Sequence, residues 1–452
     1  MKIKCNSFIK YFLFVLSFSV CAKEKIKSFT LENSIPVYVN LDSSSHFTSL
    51  SVIVSGGINY YSKEESGLED AVFNMITSGS KKYSYSDLQD FYYRTGSSIS
   101  SRTVKNGSVY IMNSIDYYFD ETFDVFEDGF FSPLFEKKEF DNLKKSYELS
   151  IQNMLNSPVE LLVYYASQLI YENHPYSVSA KVQPESIKNI TLEKVKEFYP
   201  SVLDSRRICI VASGNFDFEK LIALLNRKFS KIPALKSELK NQVIEPVEVS
   251  GENAVFIHPT AEGSAEVIRF FKAPLTVDDD FFDFEIASKM YSDVLFNVVR
   301  EHFGDCYTPS SSSTGGKAPL GYEMLSSVSN LKDFAKHTKI ARDIMSGGNV
   351  VSGKDKKGNF ITEPVSSRLK SYVNSYINSV YASSQTVYSL NLRLSYSYLN
   401  YQDVEKSDEL FQRIYDVTPE GVLSAFNKYF VNESSRWFCV VGENEEDSVY
   451  FE

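Results

Sequence analysis

Residues 67–80 read GLEDAVFNMITSGS, a short apolar stretch that opens on Gly67-Leu68 and closes on Gly79-Ser80. The spacing predicts a helix over 67–76. Asp70 and Asn74 stand four residues apart and share one face of it, with Phe73 three residues after Asp70. Two side chains at i and i+4 can meet one ligand, and a third at i+3 can point at what that ligand holds.

The stretch resembles the inverted zinc motif of the insulinase-like, pitrilysin-type (M16) metallopeptidases, Gly-Leu-x-His-x-x-Glu-His followed by apolar residues and Gly-Ser or Gly-Thr. On that resemblance Asp70 and Asn74 stand where two zinc-binding histidines are expected, and Phe73 where the glutamate base is expected. Amide nitrogen and oxygen are poor zinc ligands beside neutral imidazole, and a phenyl ring accepts no proton. The resemblance also implies a third ligand, a glutamate on a later helix about two turns before a proline. The segment 140–148 runs on to Asn156-Ser157-Pro158, which places Ser150 at that position. Glu148 is the nearest carboxylate, two residues away and so roughly 200° round the helix. A chain with Asp70, Phe73, Asn74 and Ser150 at these positions is expected to hold no metal and no cofactor and to have no catalytic residues. A hard cation on Asp70, Glu69 or Glu148 is the alternative.

A second motif lies at 295–307, LFNVVREHFGDCY. It resembles the family pattern Leu-Phe-x-x-x-Arg-Glu-x-x-Gly-Leu-x-Tyr, whose arginine and tyrosine hold the peptide backbone at the zinc. Arg300 and Tyr307 fall on those positions, and a guanidinium fork and a phenol both donate directionally to carbonyl oxygens. The bland alternative is an arginine favoured by a helix C-terminus and a tyrosine favoured by a strand. A third segment, Gly96 to Thr103, resembles Gly-x-x-x-Asn-Ala-x-Thr, a sheet edge that pairs with substrate, with Ser100 and Ser101 replacing Asn and Ala. Edge pairing uses backbone groups and survives such changes.

The whole chain fits the same plan. Its 452 residues, 43% apolar, bury more than one domain. Thr191 and Thr418 each open a helix that is followed by an apolar strand, at 207–212 and 437–441, and this repeat points to two homologous modules. The fold class expected is α+β, two M16-type domains, each a mostly antiparallel sheet packed with helices. Boundaries are expected at 1–22 (signal peptide), 23–235, a linker at 236–248, and 249–452. Residues 309–316 and 346–359, rich in Gly, Ser and Lys, are expected to be loops.

Lys2, Lys4 and Lys10, the apolar run 11–20 and Val20-Cys21-Ala22 form an export signal, so the mature chain is expected in a bacterial periplasm. Lipidation of Cys21 is the alternative, since Phe18 to Cys21 loosely resembles a lipobox. Cys209, Cys306 and Cys439 are too few and too scattered for a disulfide framework, and Cys209 and Cys439 sit in apolar strand-like runs. A net charge of −11, with no basic stripe, argues against nucleic acid, and no other run is long enough to span a bilayer. The partner implied by the resemblance is a zinc-bearing M16 subunit in a heterodimer, or a second copy in a homodimer, with unfolded peptide as substrate. The rival readings are a scaffold that binds no peptide and a peptidase with an unorthodox site around Asp70, Asn74 and Glu148.

Overall fold

The computed structural model describes residues 26–240 and 242–451; the expected signal segment and Cys21 lie outside them. The first half runs β1 (Lys27–Thr30), β2 (Pro36–Leu41), β3 (Phe47–Ser55), α1 (Leu68–Ile76), α2 (Tyr85–Thr95), β4 (Ser98–Val104) and β5 (Gly107–Ile115). It continues with α3 (Phe119–Phe131), α4 (Lys137–Leu155), α5 (Pro158–Ile170), α6 (Leu192–Val202), β6 (Ile208–Gly214) and α7 (Phe218–Lys228). The second half begins with β7 (Ala254–Ile257), β8 (Ala265–Lys272), α8 (Phe281–Leu295), β9 (Thr308–Ser313), β10 (Leu320–Val328) and α9 (Phe334–Ser346). It ends with β11 (Asn349–Lys354), β12 (Phe360–Pro364), α10 (Val365–Ala382), α11 (Val387–Tyr401), α12 (Lys406–Phe411), α13 (Pro419–Phe426) and β13 (Ser435–Val441).

The two main sheets repeat one topology. The first has the order β1-β2-β6-β3-β5-β4 and the second β7-β13-β8-β10-β9. In each, one parallel pair (β2 with β6, β7 with β13) is followed by antiparallel neighbours. The helix before each late strand is capped alike: Thr191 accepts from Lys194 N and Thr418 from Gly421 N, and Pro419 takes the first helical position of α13. The repeat expected from the sequence is therefore a repeat of structure.

The halves also exchange helices. The second half's α11 lies across β3 and β6 of the first sheet, while the first half's α5 lies across β8 and β13 of the second. Ile53, Val109, Ile111, Cys209 and Val211 pack under Leu394 and Leu399 of α11. That cover explains why β6, ICIVASG, is buried along its whole length and apolar without alternation. At the centre of the contact the buried Asn391 amide donates to Ser49 O (3.1 Å) and Val211 O (3.0 Å), and Ser51 Oγ donates to Asn391 Oδ1. Both Cys209 and Cys439 are buried strand residues, as expected.

Two expected loops are strands. Residues 308–313 form β9, the last strand of the second sheet, where Pro309 can lack an N–H because one edge of the strand is unpaired. Residues 349–364 form a hairpin, with Val350 and Val351 buried and Asp355 Oδ1 accepting from Lys357 N and Asn359 N (both 2.8 Å) across the turn. In both segments the Gly, Ser and Lys content masked a ladder held by backbone groups.

Candidate functional site

Gly67 sets the start of α1. Its φ is +86°, and a Cβ there would come within 2.4 Å of Val182 N, so only glycine admits the close approach of segment 179–186. That segment is pinned by Gly67 N to Ser179 O (3.1 Å), Ser179 N to Ser66 Oγ (3.0 Å) and Ser186 Oγ to Ser66 O (2.8 Å). The docking carries Lys181 over the helix face that holds Asp70.

Asp70, only 4% exposed, is thereby engaged from three sides. Lys181 Nζ lies 2.6 Å from its Oδ1, Tyr147 of α4 donates to its Oδ2 at 2.8 Å, and Asn74 Nδ2 reaches the same oxygen at 3.2 Å. Asn74 Nδ2 also donates to Asp70 O (2.8 Å) and Tyr147 Oη (3.2 Å). Burial first, and then the Asp70 charge, push the Tyr147 phenol well above its ordinary range, so it stays a neutral donor. Phe73 is fully buried in the core and is not among the residues that line the Asp70 cavity. Ser150 is exposed and lines the same roughly 450 Å³ cavity as Asp70, Asn74, Tyr147, Glu160 and Lys181.

This donor set does not fit zinc. The carboxylate that would ligate is occupied by an ammonium and a phenol, the amide at Asn74 presents its nitrogen, and the base position is a phenyl ring in the core. Glu69 points elsewhere: it is fully buried against Arg207 (Nη2 3.3 Å) and accepts from Ser108 Oγ (2.6 Å). Burial raises its carboxyl, with the guanidinium and hydroxyl pulling the other way. Its work is to tie α1 to the sheet. Glu148 is exposed on α4 and does not line the cavity, so Asp70, Asn74 and Glu148 do not converge on one site.

The structure does bring Arg300 and Tyr307 together. A π-helical segment, Phe296–Phe303, continues α8 and is ended by Gly304 at φ +72°. The turn is fixed by Asp305, which binds His337 Nδ1 (2.6 Å) and Asn330 Nδ2 (2.8 Å). Arg300 then lies between the rings of Phe296 (4.8 Å) and Tyr307 (4.7 Å), with Glu301 at 3.5 Å. Tyr307 is 67% exposed, and besides that ring contact its backbone N donates to Ser326 O at 3.0 Å. Neither residue lines the Asp70 cavity. Ser100 and Ser101 sit on β4, which pairs with β5 alone at the end of its sheet.

Sequence reasoning missed Tyr147 and Lys181. Tyr147 was within reach, since it stands one helical turn before Ser150 on the same face of α4. Lys181 belongs to a loop and carried no such signal.

Comparison with known proteins agrees with the architecture. The family description "Insulinase (Peptidase family M16)" matches residues 37–180, and "Peptidase M16 inactive domain" matches residues 189–339. The chain belongs to the M16 peptidase family. A protease from Helicobacter pylori superposes with a TM-score of 0.78 at 15% identity, covering 92% of this chain and 99% of that one. The peptidase M16 inactive domain from Pseudomonas fluorescens gives 0.74 at 14% identity, with 92% and 98% covered. The periplasmic protease PqqL from Escherichia coli gives 0.73 at 16% identity, with 93% of this chain but 46% of PqqL covered. At these identities the likeness is one of fold. Among curated relatives, the uncharacterized zinc protease YmxG of Bacillus subtilis is 19% identical over 190 residues, 42% of this chain and 46% of YmxG. A probable mitochondrial-processing peptidase subunit beta of Arabidopsis thaliana is 19% identical over 231 residues, 50% of this chain and 43% of that protein. The chain thus spans less than half the length of either.

Proposed function

We propose that this chain is a non-catalytic M16 subunit that pairs with a zinc-bearing homologue and supplies Arg300 and Tyr307 to a shared peptide-binding chamber. The observation that carries this reading is the Asp70–Lys181 contact: an ammonium sits on the carboxylate at the metal position, while in the other half Arg300 packs against the exposed Tyr307. At the positions where the family pattern expects zinc ligands and the general base, Asp70 is ion-paired, Asn74 presents an amide and Phe73 can accept no proton. Arg300 and Tyr307 offer donors suited to a peptide carbonyl, and the open edge of β4 suits an added strand. Export fits the apolar run near the start of the sequence and the periplasmic setting named for PqqL. Among the described residues no helix is long and apolar enough to cross a membrane.

Isolation of the native protein with its bound chains tests the reading. The expected companion is an M16 chain with an intact zinc motif, and the pair is expected to bind unfolded peptide. Recovery of this chain alone or as a homodimer, with no peptide bound, would move it to the scaffold class.

A further inference from the structure

The two main sheets end differently. Strand β9 ends the second sheet, and its outward edge is already filled: Ser311 N donates to Ser292 Oγ of α8 (2.8 Å), Ser292 Oγ donates to Ser311 O (3.0 Å), and Pro309 has no N–H to offer. Strand β4 ends the first sheet with its edge open. Along Ser98–Val104 no backbone N–H or C=O has a hydrogen-bond partner outside β5 among the described residues.

The sequence of that open strand, SISSRTV, carries one charged residue, Arg102. Strand alternation sets Arg102 on the same face as Ser98 and Ser100, and its side chain is exposed there. Nε and Nη2 of Arg102 both donate to Tyr388 Oη of α11, at 3.2 and 3.1 Å. No carboxylate pairs with this guanidinium among the described residues, whereas Arg94, at the end of the preceding helix, is spent on Glu121 (2.8 Å). A neutral phenol holds the guanidinium in place without cancelling its charge, and most of its N–H donors stay unused. In a chain of net charge −11, this edge strand therefore presents a fixed positive charge beside unpaired backbone groups.

A strand added to β4 would set one residue directly opposite Arg102 on that face, with the two Cβ atoms about 5 Å apart. A glutamate or aspartate there meets an opposite charge across the strands, and a lysine or arginine meets a like one. We infer that Arg102, preset by Tyr388, makes the β4 edge selective for extended peptides that carry carboxylate side chains. The inference rests on the proposed reading of β4 as a peptide-pairing edge and adds a substrate class to it. The selectivity belongs to both halves, since Arg102 comes from the first and Tyr388 from the second.

Fluorescence anisotropy of the full chain with three labelled, unstructured peptides tests it, the peptides being identical except that alternate positions hold Glu, Gln or Lys. The Glu peptide should bind about two- to fivefold tighter than the Gln peptide, and the Lys peptide weaker by a similar factor, the span of one cross-strand charge pair at an exposed site. Both differences should shrink as salt is raised. Arg102→Glu changes an exposed side chain and should invert the order. Tyr388→Phe keeps the charge but removes its anchor, so it should narrow the spread without inverting it. Equal affinities for all three peptides in wild type, or an order unchanged in Arg102→Glu, would overturn the inference while leaving the peptide-binding reading standing. Binding of none of the three would overturn both.

Discussion

The two halves share a strand order, a parallel pair and a capped helix before the late strand, yet their functional clusters differ in kind. In the first half the polar groups are turned on one another: Asp70 is met by Lys181, Tyr147 and Asn74. In the second, Arg300 and Tyr307 are held in place by backbone turns and ring packing, with Glu301 beside the guanidinium at 3.5 Å and Tyr307 67% exposed. A cluster that satisfies itself contributes to the fold, whereas a cluster held from behind and left open in front is disposed to bind.

Variants test that contrast. The largest loss should come from the support under the first cluster. Arg207→Met leaves the Glu69 carboxyl fully buried without its ion partner, and a loss of about 3–5 kcal/mol in unfolding free energy is expected by denaturant titration. A loss under about 1 kcal/mol would mean that α1 is held by packing alone.

In the second cluster the effect should fall on turnover rather than stability. Arg300→Ala or Tyr307→Phe, in the complex with an active homologue, should lower peptide cleavage by about 10²–10³ at most, less if the two donors share the load. Assembly, followed by size-exclusion chromatography, should be unchanged. Equal rates in wild type and both variants would reduce the pair to a structural feature.

How much of this was legible in the sequence follows from where each signal lies. The helix at 67–76 and the run at 295–307 could be found because the residues that matter are spaced along one element. Thr191 and Thr418 exposed the duplication because capping is local chemistry. The strands at 308–313 and 349–364 were hidden, since a Ser- and Gly-rich strand is held by ladder bonds that composition does not report. Lys181 and the exchange of α5 and α11 were beyond reach, because they depend on loops and faces brought together over more than a hundred residues.

Smaller effects complete the series. The Lys105 pKa is lowered on folding from 10.5 to about 8, so its burial penalty is present in full below about pH 8 and is relieved as pH rises. Wild type should therefore gain stability relative to Lys105→Met as pH is raised from about 8 toward about 10, in phosphate-free buffer. A flat difference would mean that the group is not desolvated. Smallest of all, Lys181→Met removes a side chain that is 63% exposed, and a loss of about 1 kcal/mol or less is expected from chemical unfolding because solvent screens the pair. A much larger loss would show that Asp70 depends on this one cation.

The central claim is that the Asp70 face has exchanged metal chemistry for an internal ion pair, and the most direct test is zinc content measured together with proteolysis on the purified, partner-free chain. The account predicts no stoichiometric zinc and no chelator-sensitive cleavage of unfolded peptide. One tightly held zinc per chain, lost on Asp70→Ala together with chelator-sensitive cleavage, would contradict it.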